Sequence, residues 1–327
     1  SCVIHAGIYY APGSLKARCC LRGKQLLYDY CDRRQIGNQR CGKLIVATSS
    51  DQIEQLSALQ ENAIDSGLQD LQWLEHDQVR VLEPAVDALA GLYSPSTGII
   101  DVHELMLAML ADIELADGTL VTRSTVLGGQ ARPEGLVLNV ENGGAFELSA
   151  NTVINAAGHG AVGVAAKLSG LSKQSIPAVY PIRGHYFEHA GGLPFRHLVY
   201  PLPGTTNLGI HVTLDLAGQI RFGPDNEYCN SVDYHFDDTK KAEFVKSVRA
   251  WYPELDETRL RPGFVGVRPN LQRPGEGRQD FILSGPSEHG IEGLVNLFGI
   301  DSPGLTACLA LAEEVAAKLG KSGIDRA

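Results

Sequence analysis

Apolar positions in the first 125 residues recur at helical spacing, with short apolar runs between them. This spacing predicts helices over residues 15–33, 50–67, 77–83 and 102–117, and Ser50 or Asp51 caps the second one. The runs between them predict strands over residues 42–48 and 119–124, and residues 91–94 and 98–101 flank a turn at Ser94-Pro95-Ser96. Helices and strands therefore alternate in this half of the chain.

The rest of the chain is richer in strands. Turns at Pro133-Glu134-Gly135 and Asn142-Gly143-Gly144 predict a meander of strands over residues 126–130, 135–139 and 145–148. A buried-type strand over residues 152–157 then leads through glycines into a helix that ends near Leu168. Alternation and the turn or strand-end glycines 204, 218 and 223 predict antiparallel strands over residues 183–189, 197–202, 208–216 and 219–222. A helix over residues 240–252, buried strands over 281–284 and 294–298, and a C-terminal helix complete an α/β (α+β mixed) fold, a parallel core with an antiparallel insertion.

Composition narrows the function classes. The 327 residues suffice for one large or two ordinary domains, and the net charge of −10 argues against general nucleic-acid binding. Apolar runs are too short for a membrane span, and no signal peptide is visible. Seven cysteines without a C-x-x-C spacing indicate reduced thiols in a cytoplasmic protein. The sequence contains no H-x-x-x-H spacing, so we predict no metal site.

Two glycine-containing turns are candidate phosphate or cofactor contacts. Gly158-His-Gly160-Ala-Val-Gly163 matches G-x-G-x-x-G, but no acidic residue lies between Val164 and Phe187 to bind a ribose. A strand end whose backbone passes close to a cofactor is therefore favoured, with a phosphate loop and a purely structural turn as alternatives. Pro303-Gly304-Leu305-Thr306 opens the last helix, whose N-terminus either receives an anionic group or is an ordinary capped end.

Few polar side chains stand out in the predicted sheet. His185 and His211 lie in apolar strands, where a histidine is more often satisfied or solvated than catalytic. Arg183 and Arg268 lie beside glycine or proline in apolar surroundings, and such an arginine usually pairs with a carboxylate of the protein or of a substrate. A plain surface position is the alternative for both arginines.

Several blocks together resemble a known family. They are Val3-Ile-His-Ala-Gly-Ile-Tyr-Tyr, Gly42-Lys-Leu-Ile-Val-Ala, Pro95-Ser-Thr-Gly-Ile-Ile-Asp, Ile182-Arg-Gly-His-Tyr-Phe, Leu208-Gly-Ile-His and Gly299-Ile-Asp-Ser-Pro-Gly-Leu-Thr-Ala. In this order they resemble FAD-dependent oxidoreductases of the D-amino-acid-oxidase superfamily, in the branch of L-2-hydroxyglutarate dehydrogenase. The resemblance runs through essentially the whole chain.

The resemblance implies two discontinuous domains. Residues 1–40, 85–180 and 275–327 correspond to a Rossmann-like FAD-binding domain, and residues 41–84 and 181–274 to a substrate-binding domain with an antiparallel sheet. The family's leading βαβ unit, which carries a G-x-G-x-x-G loop, corresponds to positions before Ser1. We therefore expect an N-terminally truncated FAD-binding domain.

The resemblance also implies roles for individual residues. The cofactor contacts would be Gly7 near the flavin ring, Val126 near the adenosine, Ala157 and Gly158 near the ribose and pyrophosphate, and Gly304, Leu305 and Thr306 at the flavin N1–C2 edge. Arg183 and Arg268 would hold substrate carboxylates, with Tyr200 as a further hydrogen-bonding group. His211, or His5 in competition with it, would take the hydroxyl proton, with a pKa near neutrality. The implied reaction transfers a hydride from an L-2-hydroxy acid, such as L-2-hydroxyglutarate, to flavin N5.

Two other functions stay open at this point. One is an amine or amino-acid oxidase on the same fold, and the other is a truncated, non-catalytic member unable to hold FAD. The electron acceptor is unassigned; a quinone acceptor would imply a peripheral position at a membrane.

Overall fold

The computed structural model describes residues 2–132, 135–192, 194–202 and 209–320, and all structural statements concern these ranges. Its helices are α1 Leu15–Arg34, α2 Asp51–Asp65, α3 His76–Leu82, α4 Val102–Leu115, α5 Ala161–Ala166, α6 Lys241–Arg249, α7 Pro286–His289 and α8 Gly304–Lys318. Its strands are β1 Val3–Ile4, β2 Asn38–Gln39, β3 Lys43–Ala47, β4 Gln72–Glu75, β5 Ala90–Ser94, β6 Gly98–Ile100, β7 Thr125–Arg132, β8 Gly135–Glu141, β9 Ala145–Ala150, β10 Val153–Asn155, β11 Leu168–Ser169, β12 Tyr180–His189, β13 Leu198–Pro201, β14 Val212–Leu214, β15 Ile220–Phe222, β16 Glu227–Tyr228, β17 Leu260–Asn270, β18 Ile282–Ser284 and β19 Leu294–Phe298.

The largest sheet joins strands from both halves of the chain. Its order is β16-β12-β15-β14-β13-β3-β5-β4, and β17 pairs with β12 along the other edge. Strands β3 and β13 are parallel, with Tyr200 opposite Ile45, whereas the other pairings in this sheet are antiparallel. The parallel pairing places β3 next to β13, which carries Tyr200, and β14, which begins directly after His211, is the next strand beyond β13.

Side-chain alternation gives β3 two different faces. Leu44 and Val46 belong to a core that also contains Trp251, on one side of the sheet. Ile45 and Ala47 belong to a second core, on the side that faces the opening segment. Lys43 has the parity of Ile45 and Ala47, so its side chain points toward that second side.

Helix α8 follows a small sheet of order β10-β19-β18, in which β10 and β19 are parallel. Its apolar face packs on α1 and on β18 and β19, through Cys19, Phe281, Val295 and Leu311 among others. Gly23 permits the close approach of α1 to α8, because a Cβ atom at this position would lie 2.3 Å from the carbonyl oxygen of Thr306. The N-terminus of α8 is thereby fixed beside the opening segment.

The mixed α/β fold and the meander β7-β8-β9 agree with the sequence, while three predicted strands differ. Residues 119–124 form no strand: Leu120 and Val121 are each 59% exposed, and no strand of the described part pairs with them. The strand predicted over 152–157 is limited to Val153–Asn155, and Ile154 of this edge strand is 51% exposed. Of residues 209–216 only Val212–Leu214 form a strand. Leu208 and the turns predicted at Pro133-Glu134 and at Gly204 lie outside the described residues.

The strand pairing also bears on the predicted domain boundaries. Strand β5 pairs with both β3 and β4 in the large sheet, although the boundary predicted between residues 84 and 85 places it in the FAD-binding domain. Hydrogen bonding thus joins β5 to the sheet that the prediction assigns to the substrate-binding domain. The domain boundaries stay predictions.

Candidate active site

The opening segment and the C-terminal helix meet at Thr306, which is fully buried. Its Oγ1 accepts a hydrogen bond from the backbone N–H of His5 at 2.9 Å and donates to the carbonyl oxygen of Val3 at 3.3 Å. The His5 ring extends from this anchored backbone, and its Nε2 lies 3.4 Å from the hydroxyl of Ser302. The two segments that the sequence placed at opposite ends of the chain therefore build one site.

The turn before α8 is fixed by a charged residue. Asp301 accepts from Lys16 Nζ at 2.9 Å and from the Asn270 side-chain amide at 2.8 Å, and its side chain is 6% exposed. These contacts join α1, β17 and the turn. They hold Gly304 to Thr306 in place without a capping side chain, since none of the described residues caps this helix N-terminus.

A cluster of basic and aromatic side chains lies next to this turn, and it consists of His5, Tyr9, Lys43, Tyr200 and His211. The Tyr200 and His211 rings stack with centroids 3.8 Å apart. The ammonium of Lys43 lies 4.6 Å from the centroid of the Tyr200 ring and 4.9 Å from that of Tyr9. We call these five residues the basic–aromatic cluster.

The electrostatics of the cluster keep both imidazoles neutral. Burial, followed by the charge of Lys43, lowers the pKa of His211 to about 3, although the residue as a whole is partly exposed. The same two causes lower the pKa of His5 well below its ordinary value. The pKa of His211 therefore lies below the value near neutrality that was expected for the base.

Hydrogen bonding orients the His211 ring. The backbone of Gly209 hydrogen-bonds to this imidazole in the direction that raises its pKa, so a ring N–H donates to the peptide carbonyl. The second ring nitrogen then carries a lone pair, which is the arrangement that a general base needs.

The remaining ionisable groups of the cluster differ in charge. Burial lowers the pKa of Lys43 to about 8, so its ammonium is largely protonated at neutral pH. Burial raises the pKa of Tyr200 well above its ordinary value, which keeps its hydroxyl protonated as a hydrogen-bond donor. Burial likewise raises the pKa of the neighbouring Tyr186 to about 12.

Of the two predicted arginines, the structure brings one to the cluster. The charge of Arg268 on β17 contributes to the lowered pKa of His211 and opposes part of the rise at Tyr186. Its guanidinium donates to the side-chain oxygen of Asn226. It is partly exposed and faces the same region as the imidazole. This position is compatible with binding a substrate carboxylate.

Arg183 lies elsewhere, which contradicts its predicted place in the substrate site. It shares a face of β12 with His185, whereas Tyr186 belongs to the alternate positions of the strand and lies near Arg268. Its guanidinium donates to Glu227 and Asp233, each at 2.9 Å. The carboxylate partners expected for this arginine therefore come from the protein itself.

The structure contains one group of metal-type ligands among the residues it describes, namely His185, Asp225 and Glu227. Lys240 lies 3.4 Å from Glu227 and 3.9 Å from Asp225, and Arg183 pairs with Glu227. These cations already compensate the carboxylate charges that would attract a metal ion. We interpret the group as a structural ion-pair network.

Three features fit the flavin cofactor that the resemblance implies. The N-terminus of α8 has no capping side chain and no acidic residue in its first turn. The Gly304 N–H donates to the carbonyl oxygen of Asp301, whereas the N–H groups of Leu305 and Thr306 can meet an electron-rich edge. Ala157 and Gly158 are exposed, and a Cβ atom on Gly158 would meet no atom within 4 Å. The Nδ1 of His5 is buried without a partner in the described structure.

The other two predicted cofactor contacts occupy different places. Gly7 is buried, and its φ of +98° is a backbone conformation that favours glycine. Val126 is half-buried in β7, next to a bulge in its pairing with β8. The roles of all seven predicted cofactor residues stay predictions.

Sequence reasoning missed Lys43, Tyr9 and Tyr186 as members of the site. The first signal was present, since a lysine inside the apolar run Lys-Leu-Ile-Val-Ala is unusual in a fully buried strand. The tyrosines gave no such signal, because a tyrosine in a strand or loop is common.

Comparison with known proteins identifies the family. Residues 1–318 match the model of the FAD dependent oxidoreductase family. The chain is 37% identical to the mitochondrial L-2-hydroxyglutarate dehydrogenase of Arabidopsis thaliana, over 97% of this chain and 74% of that protein. It is 31% identical to the L-2-hydroxyglutarate dehydrogenase of Escherichia coli strain K12, over 86% of this chain and 74% of that protein.

Solved structures agree. The FAD-bound, dithionite-reduced L-α-glycerophosphate oxidase of Mycoplasma pneumoniae superposes with a TM-score of 0.84 at 26% identity, over 98% of this chain and 83% of the other. Glycine oxidase of Geobacillus kaustophilus shares the fold, with a TM-score of 0.78 at 18% identity. The family, the fold and the FAD cofactor inferred from the sequence are thus confirmed. The chain belongs to the FAD-dependent oxidoreductases of the D-amino-acid-oxidase superfamily.

Proposed function

We propose that this protein oxidises L-2-hydroxyglutarate to 2-oxoglutarate with FAD. The observation that carries the proposal is the basic–aromatic cluster beside the N-terminus of α8, where a free imidazole base, protonated tyrosines and the cations Lys43 and Arg268 converge. Such a set suits an anionic substrate whose hydroxyl proton must be removed. The identity of the acid is supported by the two L-2-hydroxyglutarate dehydrogenases that resemble this chain.

The cofactor would be held by the predicted contact residues, which are Gly7, Val126, Ala157, Gly158 and Gly304 to Thr306. When bound, FAD supplies a two-electron acceptor for the hydrogen on the carbon that bears the hydroxyl. The first turn of α8 would stabilise negative charge through its N–H groups and dipole.

Within the protein, His211 would accept the substrate hydroxyl proton on its unprotonated ring nitrogen. Tyr200, stacked on this ring at 3.8 Å, keeps its plane in place, and its buried hydroxyl can donate a hydrogen bond to the substrate. Arg268 would hold a carboxylate through its guanidinium. His5, anchored by Thr306, is the alternative base.

The experiment is anaerobic mixing of the FAD-loaded protein with L-2-hydroxyglutarate, followed through the loss of oxidised-flavin absorbance and the formation of 2-oxoglutarate. The D-enantiomer is the matched control and should leave the flavin oxidised. Ammonia release from L-glutamate, without reaction of the hydroxy acid, would replace the proposal with an amino-acid oxidase. A protein that takes up no added FAD would contradict any flavin-dependent activity.

The proposal includes a reducing compartment such as the cytoplasm. It is supported by the cysteines, because no disulfide occurs among the described residues, which include all seven. Within the same ranges, no helix combines the length and apolar character that crossing a membrane requires. The electron acceptor can be identified by testing quinones, oxygen and soluble carriers against the reduced protein.

A further inference from the structure

Lys43 is the most unusual residue of the basic–aromatic cluster. It opens strand β3 on the face that it shares with Ile45 and Ala47, and it is 1% exposed. Its ammonium lies over the faces of the Tyr9 and Tyr200 rings. Burial of a cation is costly, and contacts with aromatic faces offset only part of that cost.

No anion of the described structure compensates this charge. Within residues 2–132, 135–192, 194–202 and 209–320, no carboxylate lies at ion-pair distance from Lys43, whereas the partly buried Lys16 pairs with Asp301 at 2.9 Å. The group that favours the ammonium is Cys20, and burial raises the pKa of this thiol to about 12. Lys43 is therefore a buried cation without an anionic partner.

We propose that Lys43 is a substrate-binding residue whose ammonium holds the carboxylate on the reacting carbon of the hydroxy acid, beside His211. The identity of that acid rests on the proposed function, but the carboxylate anchor does not. Arg268 acts on His211 from β17, and its partly exposed guanidinium suits the far carboxylate of a dicarboxylate. Two cations on two strands thus match the two charges of the substrate.

The charge of Lys43 can be followed by changing the pH, because the groups around it titrate in other pH ranges. The titratable groups that face it are His5 and Tyr9 of the opening segment, Cys20 of α1, Tyr200 of β13 and His211. Both imidazoles have lowered pKa values, whereas the thiol and the two phenols have raised ones. Within this set, Lys43 alone changes charge from about pH 7 to about pH 10.

The experiment is isothermal titration calorimetry of the FAD-loaded protein with 2-oxoglutarate and with the monocarboxylate 2-oxobutyrate. Lys43→Met keeps an unbranched side chain and removes the charge, and Lys246→Met, at an exposed lysine of α6, is the matched control. We expect Lys43→Met to weaken both acids about 10- to 100-fold, as the loss of a charge-assisted hydrogen bond would. Equal affinities in Lys43→Met and Lys246→Met would overturn the assignment.

Thermal unfolding without ligand separates an anchor from a structural lysine. Because the unpaired ammonium is costly to bury, Lys43→Met should unfold at the same or a higher temperature than the wild type. If it unfolds at a lower temperature, the variant is set aside and the inference is tested by the pH dependence of ligand binding to the wild-type protein. Its Kd for 2-oxobutyrate should rise by about tenfold per pH unit above a pH of about 8, since the protonated fraction of Lys43 falls by that factor.

A wild-type Kd that is constant from about pH 7 to about pH 10 would overturn the inference. The proposed function fails separately. If L-2-hydroxyglutarate is not oxidised but the binding of 2-oxo acids depends on Lys43, the anchor stands and the substrate assignment is wrong. If L-2-hydroxyglutarate is oxidised and Lys43→Met binds both acids normally, the anchor is wrong and the function stands.

Discussion

Replacing His211 by asparagine tests the proposed base most directly. Asparagine keeps a planar polar side chain but cannot accept a proton at neutral pH. We expect the rate of flavin reduction by L-2-hydroxyglutarate to fall by about 10²- to 10⁴-fold, the usual contribution of a positioned base. This loss corresponds to about 3–5 kcal/mol of transition-state stabilisation.

The wild-type pH profile follows from the same geometry. Because the pKa of His211 is lowered to about 3, the imidazole of the free protein is already a neutral base throughout the physiological range. Protonation of this imidazole costs on the order of 5 kcal/mol more than protonation of a histidine in water, at about 1.36 kcal/mol per pKa unit. The kcat/KM profile should therefore lack an acid limb at about pH 6.5, where an unperturbed histidine would give one.

Stopped-flow reduction of the FAD-loaded protein under anaerobic conditions measures both quantities. His103→Asn, at an exposed histidine of α4, is the control and should react at the wild-type rate. A large loss in His5→Asn together with near-normal reduction in His211→Asn would transfer the role to His5. An acid limb at about pH 6.5 in wild-type kcat/KM would refute the electrostatic reasoning.

Three further substitutions test the scaffold and the excluded arginine. Thr306→Val leaves the backbone N–H of His5 without a partner and should cost about 1–3 kcal/mol in urea unfolding; an unchanged midpoint and slope would contradict the contact. Asp301→Asn leaves Lys16 without its anion and should cost about 3–5 kcal/mol, most of which the double variant with Lys16→Met should restore. Arg183→Lys should change KM for L-2-hydroxyglutarate by less than about twofold, because Arg183 binds protein carboxylates; a strong rise in KM would return it to the substrate site.

Local patterns account for the part of the fold that could be predicted. The meander follows from alternation and from its glycine-containing turns, and α8 follows from an apolar helical stripe after a Gly/Pro turn. Residues 119–124 show the limit of such patterns. Their apolar and β-branched residues favour a strand, but a strand needs a partner, and none of the described strands supplies one.

The site itself depends on contacts between distant segments. The strands that carry Lys43 and Tyr200 were each predicted, but the parallel pairing of β3 with β13 brings them together, and periodicity does not encode which strands pair. The same limit explains Arg183. Its setting indicated a carboxylate partner, and only the fold shows that Glu227 and Asp233 are those partners.

The ammonium of Lys43 and the imidazole of His211 interact electrostatically, so the pKa of His211 should depend on whether substrate is bound. In the unliganded protein the charge of Lys43 is one of the causes that lower the pKa of His211. A carboxylate bound to Lys43 would compensate that charge and raise the pKa of the imidazole, so His211 would become a stronger base when the hydroxyl to be deprotonated arrives. It follows that Lys43→Met should also raise the pKa of His211 in the free protein. Titration of the histidine by NMR can measure this rise, and an unchanged pKa would show that the charge of Lys43 does not contribute to the lowering.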